Sequence, residues 1–200
     1  NEKKLEEFLG GKPRSHEKLG KETKPGIVTG LAWTQAGGEI LFIETAFTKG
    51  DGKVEITGQL GEVMQESAKI ATSLVKIMYP ELTDKFKEND LHIHVPEGAV
   101  PKDGPSAGIT LVTALSSLVT GKAVNPKIAM TGEVSLRGYV MPIGGLPEKL
   151  MAAERAGVKT VLIPKENEKD LDDVAEEIKE QLKIVPIEKI EDALKIAFAQ

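Results

Sequence analysis

The chain has 200 residues, which suits one domain with a buried core, or one domain and a tail. With 40% apolar but only 4% aromatic residues the core must be Ile, Leu, Val and Ala, and the absence of cysteine excludes thiolate nucleophiles, disulfides and thiolate metal sites. A formal charge of −5 argues against nucleic acid as a partner, since phosphate binding needs a basic patch, and no apolar run approaches the ~20 residues of a membrane span.

Residues 1–23 are polar and charged, begin without Met and carry no signal-peptide core. They are expected to be a linker or the end of a preceding helical part, and the chain a piece of a longer one. Lys24-Pro25-Gly26 is a turn signal. Residues 27–34 and 39–47 read as strands joined by a hairpin turn at Ala36-Gly37-Gly38, and residues 53–57 as a third strand with Val54 and Ile56 on one face. Helical spacing places Val63, Ile70, Leu74, Ile77 and Met78 on one stripe of a helix over 62–78, ended by Tyr79-Pro80. Residues 91–95 alternate as a strand, and the Gly- and Pro-rich residues 96–105 form a loop. A helix is expected over 106–119, strands over 127–133 and 134–141, and a turn over 142–145. Then come a helix over 146–156 closed by Gly157, a strand over 158–163, a helix over 170–182, a strand over 184–187 and a helix over 190–199. This order predicts an α/β (α+β mixed) fold, with one core, mixed sheets and flanking helices, and no internal repeat.

Ser106 stands at the predicted start of a helix. Serine there is either an N-cap, its oxygen accepting a backbone N–H, or a nucleophile set beside the free N–H groups of the first turn. Gly104 and Gly108 admit close approach of backbone or substrate, and Ala107 adds no bulk.

A nucleophilic serine needs a base. His16 lies in the polar tail. His92 and His94 share one face of a strand, where they are a hydrogen-bonded or solvent-facing pair, half of a metal site with no third ligand apparent, or part of a Ser-His-Asp arrangement with Asp103. Lys149 is the other candidate. On its helix it falls about 60° from the centre of the stripe Leu146, Leu150, Ala153 and Gly157. There it either snorkels to solvent or, if buried, becomes a base near neutral pH.

Several longer motifs resemble the Lon protease family. Pro101-Lys102-Asp103-Gly104-Pro105-Ser106-Ala107-Gly108 is similar to the family's catalytic-serine motif, and Gly144-Gly145-Leu146-Pro147-Glu148-Lys149 to its catalytic-lysine motif. Gly30-Leu31-Ala32-Trp33-Thr34, Thr57-Gly58-Gln59-Leu60-Gly61, His92-Ile93-His94-Val95-Pro96-Glu97-Gly98 and Thr131-Gly132-Glu133-Val134 follow in the same order and spacing, so the resemblance runs over residues 26–200.

The resemblance implies the family's proteolytic-domain fold over residues 24–200 and a serine endopeptidase with a Ser106–Lys149 dyad. Thr131 would orient the lysine, and Asp103, Glu133 and His92 would support the site. Gly104, Pro105 and Ala107 would form the loop on the oxyanion side, and Leu31, Ala32 and Trp33 would pair with an extended substrate. Read without the resemblance, Thr131 is an ordinary strand residue and Trp33 equally a core anchor. The chain has no phosphate-loop motif, so no cofactor or metal is expected in it; ATP and magnesium would be used by an ATPase module outside it. The expected partners are unfolded polypeptides and further copies of the chain in a hexamer, not membrane or nucleic acid. The expected location is the bacterial cytoplasm, the mitochondrial matrix being the family's other one. A silent Lon-like assembly domain is the alternative function, and the presence of both Ser106 and Lys149 speaks against it.

Overall fold

The computed structural model describes residues 19, 23–34 and 36–199. Apart from Leu19 and Thr23, the expected linker over residues 1–23, with His16, lies outside the described residues.

Among the described residues nine strands form, at Ile27–Thr34 (β1), Gly37–Lys49 (β2), Val54–Thr57 (β3), Asn89–His94 (β4), Ile128–Met130 (β5), Glu133–Val134 (β6), Val140–Met141 (β7), Thr160–Pro164 (β8) and Lys183–Ile187 (β9). The α-helices are Glu62–Met78 (α1), Asp84–Glu88 (α2), Gly108–Thr120 (α3), Leu146–Ala156 (α4), Glu176–Gln181 (α5) and Ile190–Phe198 (α6). Seven strands make one mixed sheet in the order β3-β4-β2-β1-β5-β8-β9, and β6 and β7 form a separate antiparallel pair. β2 runs antiparallel to β1 and β4, whereas β1-β5, β5-β8 and β8-β9 are parallel, as crossover helices require. Pro186 is tolerated because β9 is an edge strand.

Alternating strand residues feed two apolar clusters on opposite faces of the sheet. Met130 and Leu162 point toward α1, α3 and α6. Their neighbours Ala129, Val161 and Ile163 join Leu31 and Ile40 beneath Leu146, Leu150 and Ala153 of α4. The fold is therefore a sheet between two helical layers, the mixed α/β class that the sequence implies. α3 is buried nearly all round, which suits its small and aliphatic composition.

Several element boundaries depart from the sequence expectation for identifiable reasons. Gly37 and Gly38 belong to β2 rather than to a turn, pairing with Thr34 and Trp33 of β1, and α4 packs directly on Gly38, where a Cβ would stand 2.0 Å from the Glu148 carbonyl oxygen. The buried face of α1 is Met64, Ser67, Ala68, Ala71, Thr72, Leu74 and Val75, while Val63 and Ile77 are exposed. Small residues let α1 approach α3 closely, so the packed face is not the one with the largest side chains. The expected strands over 127–141 are cut short where Gly132 leaves the sheet: its N–H donates to Ser106 O at 2.8 Å and its carbonyl accepts from Ile109 N at 3.0 Å. The expected helix over 170–182 divides into a 3-10 stretch, Lys165–Asp173, and α5, with buried Val174 extended between them. Three aspartates at 170, 172 and 173 favour that break.

Candidate active site

Ser106 precedes α3 on one face of the sheet, and Lys149 lies in α4 on the other. They meet where the sheet is incomplete: β5 stops at Met130, and the chain turns away through Thr131 and Gly132. Both residues line a single cleft of about 870 Å³.

Ser106 is half-buried and lies in a turn, not at the helix cap; the cap position is Ala107, with no side-chain cap bond. The N-cap reading of Ser106 is therefore set aside. The turn is held through its backbone, by the bond from Gly132 N to Ser106 O and one from Gly108 N to Pro105 O at 3.2 Å. Since Gly108 N and Ile109 N are already engaged, they are not the free first-turn donors that the sequence suggested. Among the described residues the N–H groups of Ser106 and Ala107 carry no hydrogen bond. Gly104, at φ +110, gives the turn a backbone conformation that side chains rarely adopt, and Pro105 offers no N–H.

Lys149 is 2% exposed, which decides against snorkelling. Its Nζ donates to Thr131 Oγ1 at 3.2 Å. Burial lowers its ammonium to about 8, because the apolar surroundings disfavour the charged form. Thr131 is itself fully buried, so it is more than an ordinary strand residue here. No hydrogen bond links Ser106 Oγ to Lys149 Nζ in the free domain. Gly145, in the left-handed region at φ +70, begins α4, and a Cβ there would stand 2.8 Å from Trp33 Cδ1. Trp33 is 55% exposed and lines the cleft, so it is a rim residue and not a core anchor.

Asp103 lines the cleft too, but its Oδ1 accepts from Met64 N at 3.0 Å and from Gly104 N at 2.8 Å. The first of these bonds, then the second, holds its carboxyl below the usual range. Asp103 thereby caps α1 from outside the helix, and the α1 cap residue is glycine because a Cβ at Gly61 would fall 2.2 Å from Asp103 Oδ2. His92 and His94 do not reach the cleft. Thr57 Oγ1 lies 2.8 Å from His92 Nε2 and 2.7 Å from His94 Nδ1, and neither histidine is among the residues lining the cleft. Glu133, on β6, is also not among the residues lining the cleft. No group of three or more His, Asp or Glu able to hold a metal is present among the described residues.

Leu31 buries its side chain in the α4 cluster and is not among the residues lining the cleft, whereas Ala32 and Trp33 are. Thr45 N donates to Gly26 O at 2.8 Å, which makes Gly26 and Thr45 a bonded pair. Even-numbered β1 residues therefore bond to β2, and Thr29, Leu31 and Trp33 turn their N–H and C=O groups to the other edge. β5 covers that edge at Thr29 and Gly30, and beyond them no strand among the described residues does. Sequence reasoning missed Met64 and Leu41 in the cleft wall and gave Lys102 no role, although Lys102 stands inside the serine motif. Met64 lies on the face of α1 that side-chain size concealed.

A serine-bearing turn and a buried lysine, brought together through a gap in a mixed α/β sheet, define the class. The chain belongs to the Lon protease (S16) C-terminal proteolytic domain family, which it matches over residues 1–200. It is 59% identical over 191 residues to the Lon protease of Clostridium beijerinckii, covering 96% of this chain and 24% of the relative. It is 56% identical to that of Methanosarcina barkeri, with 96% and 24% covered, and 50% identical to that of Escherichia coli K12, with 96% and 25% covered. The chain thus spans about a quarter of the length of these curated relatives.

Proposed function

We propose that this chain is the serine endopeptidase domain of an ATP-dependent protease and cuts unfolded, misfolded and selected regulatory proteins through a Ser106–Lys149 dyad. The observation that carries this reading is a lysine buried without a carboxylate partner among the described residues, lowered to about 8, in the same cleft as a half-buried serine. At pH 7 roughly one such lysine in ten is neutral and able to accept a proton.

In the forward reaction Lys149 Nζ takes the Ser106 hydroxyl proton as Oγ bonds to the peptide carbonyl carbon. The carbonyl electron pair moves onto oxygen, where the N–H groups of Ser106 and Ala107 and the start of α3 stabilise it. The tetrahedral intermediate collapses, the C–N bond breaks, and Lys149 returns its proton to the leaving amine. Water then gives a proton to Lys149 and attacks the acyl carbon, and Ser106 regains its hydrogen as the acid product leaves. Thr131 accepts one Nζ hydrogen bond and so aims the lysine's free lone pair.

The edge of β1 beyond the β5 register, at the Leu31 carbonyl and Trp33, supports substrate binding as an added strand, which gives affinity through main-chain bonds without strict sequence demands. ATP and magnesium would act in a module outside this chain. The proposed partner state is a homohexamer of this chain. The bacterial cytoplasm is the proposed location.

The test is cleavage of casein and of a fluorogenic peptide by the wild type, Ser106→Ala and Lys149→Ala. The wild type should cleave both at the same rate with and without ATP, and both variants should lose at least about 10³-fold. Activity that survives Lys149→Ala would move the base elsewhere.

A further inference from the structure

The cleft wall facing the sheet is the segment between His94 and Ser106, which has almost no regular structure of its own. It is tied down at Lys102. Along the main chain Lys102 N donates to Gln59 O at 3.0 Å and Gly61 N to Lys102 O at 2.8 Å, a parallel bridge beside Leu60. The side chain does more. Its Nζ donates to Gly58 O at 2.7 Å, to Glu97 O at 2.6 Å and to Val100 O at 2.7 Å.

An ammonium has three donors and no acceptor, so every hydrogen is used, two on carbonyls of the Glu97–Val100 turn and one on Gly58, which follows β3. Such charge-assisted bonds are short and directional, as these are. Desolvation lowers the Lys102 ammonium while the Glu97 carboxylate opposes that shift. The peptide-cleavage steps make no use of Lys102, yet it stands four residues before Ser106 and directly beside Asp103, the cap of α1.

We propose that Lys102 is a positioning residue for Ser106: its ammonium knots the carbonyls of Gly58, Glu97 and Val100 together and thereby sets the Gly104-Pro105-Ser106 turn within the cleft that Lys149 also lines. The inference rests on Ser106 being the nucleophile. It adds a knot on the α1 side to the bond from Gly132 N to Ser106 O, which already ties the serine's turn to the Thr131–Gly132 segment that also holds Lys149.

The experiment compares the wild type, Lys102→Met, Lys102→Gln and Lys102→Arg in three readouts: the rate of Ser106 labelling by a fluorophosphonate, kcat and KM for a fluorogenic peptide, and Tm. Lys102→Met keeps the stem and loses all three donors, so labelling and kcat should fall about 10–100-fold with KM nearly unchanged, as expected for a misplaced nucleophile. Lys102→Arg, which keeps the charge and the donors, should recover a large part of both. Labelling of Lys102→Met at the wild-type rate overturns the inference, and so does a rise in KM alone, since that marks a wall that only shapes the pocket. If Lys102→Met is unfolded, Lys102→Gln decides: slower labelling at wild-type Tm supports the knot, and an unchanged rate overturns it. A wild type that is not labelled at all refutes the Ser106 reading first, an outcome distinct from the others.

Discussion

An ammonium buried among aliphatic side chains destabilises the fold that buries it. For Lys149 the lowering to about 8 corresponds to roughly 3 kcal/mol at neutral pH, the penalty of holding a charge that the unfolded chain solvates freely. The sign follows from proton counting. Below about 8 both states carry the proton and the penalty is complete; as pH rises from there to the ordinary lysine value the folded state loses its proton first, and stability increases. Lys149→Met should therefore raise Tm by several degrees at pH 7, and the gain should shrink between pH 8 and 10.5, measured by thermal denaturation across that range. A variant less stable than the wild type at pH 7 would mean that the lysine is not held against its solvation preference. Periodicity put Lys149 at the margin of an apolar stripe and left its fate open, because an angle on a helical wheel does not say how far the neighbouring strand extends. The end of β5 at Met130 makes room for Nζ beside Thr131, and that room is a tertiary fact. Ser106 was equally ambiguous alone, and only its motif, read as a resemblance, separated it from an N-cap.

At the level of elements, the site depends on how closely α4 lies on the β1–β2 hairpin. Gly38 and Gly145 mark that contact, one beneath the Glu148 backbone and the other against the Trp33 ring. Gly38→Ala has no space for its methyl group, since the nearest atoms are backbone of α4. It should destabilise the domain by about 2 kcal/mol or more and, by shifting Lys149, lower activity more than stability alone explains. Denaturant titration alongside peptide turnover checks this; an unaltered midpoint would contradict the packing. The strands and helices that bracket the site were legible in the sequence because their apolar period is strong and their ends carry Gly or Pro. The inner side of α1 was not, since Ala68, Ala71 and Ser67 contribute by being small, and apolar periodicity weighs large residues. The break in the helix expected over 170–182 was hidden in the same way: Asn167 donates to Ile143 O at 2.8 Å and accepts from Ile143 N at 3.0 Å, a long-range tie that fixes the preceding stretch.

Across the whole molecule, one gap in the sheet performs three tasks. It admits Lys149 from one helical layer, presents Ser106 from the other, and leaves the β1 edge at Trp33 beyond the β5 register. A site assembled from two layers is lost if either shifts, which fits a domain whose cleft is defined by backbone contacts at glycines rather than by long surface side chains. The central claim is that Lys149 is the base for Ser106, and its most direct test is the pH dependence of kcat/KM for a fluorogenic peptide between pH 5.5 and 10. A rise of about tenfold per pH unit to a plateau above about 8 is expected, with the limb absent from the residual rate of Lys149→Met. A midpoint in the ordinary histidine range, near 6.5, that persists in Lys149→Met would contradict it and return the role of base to an imidazole.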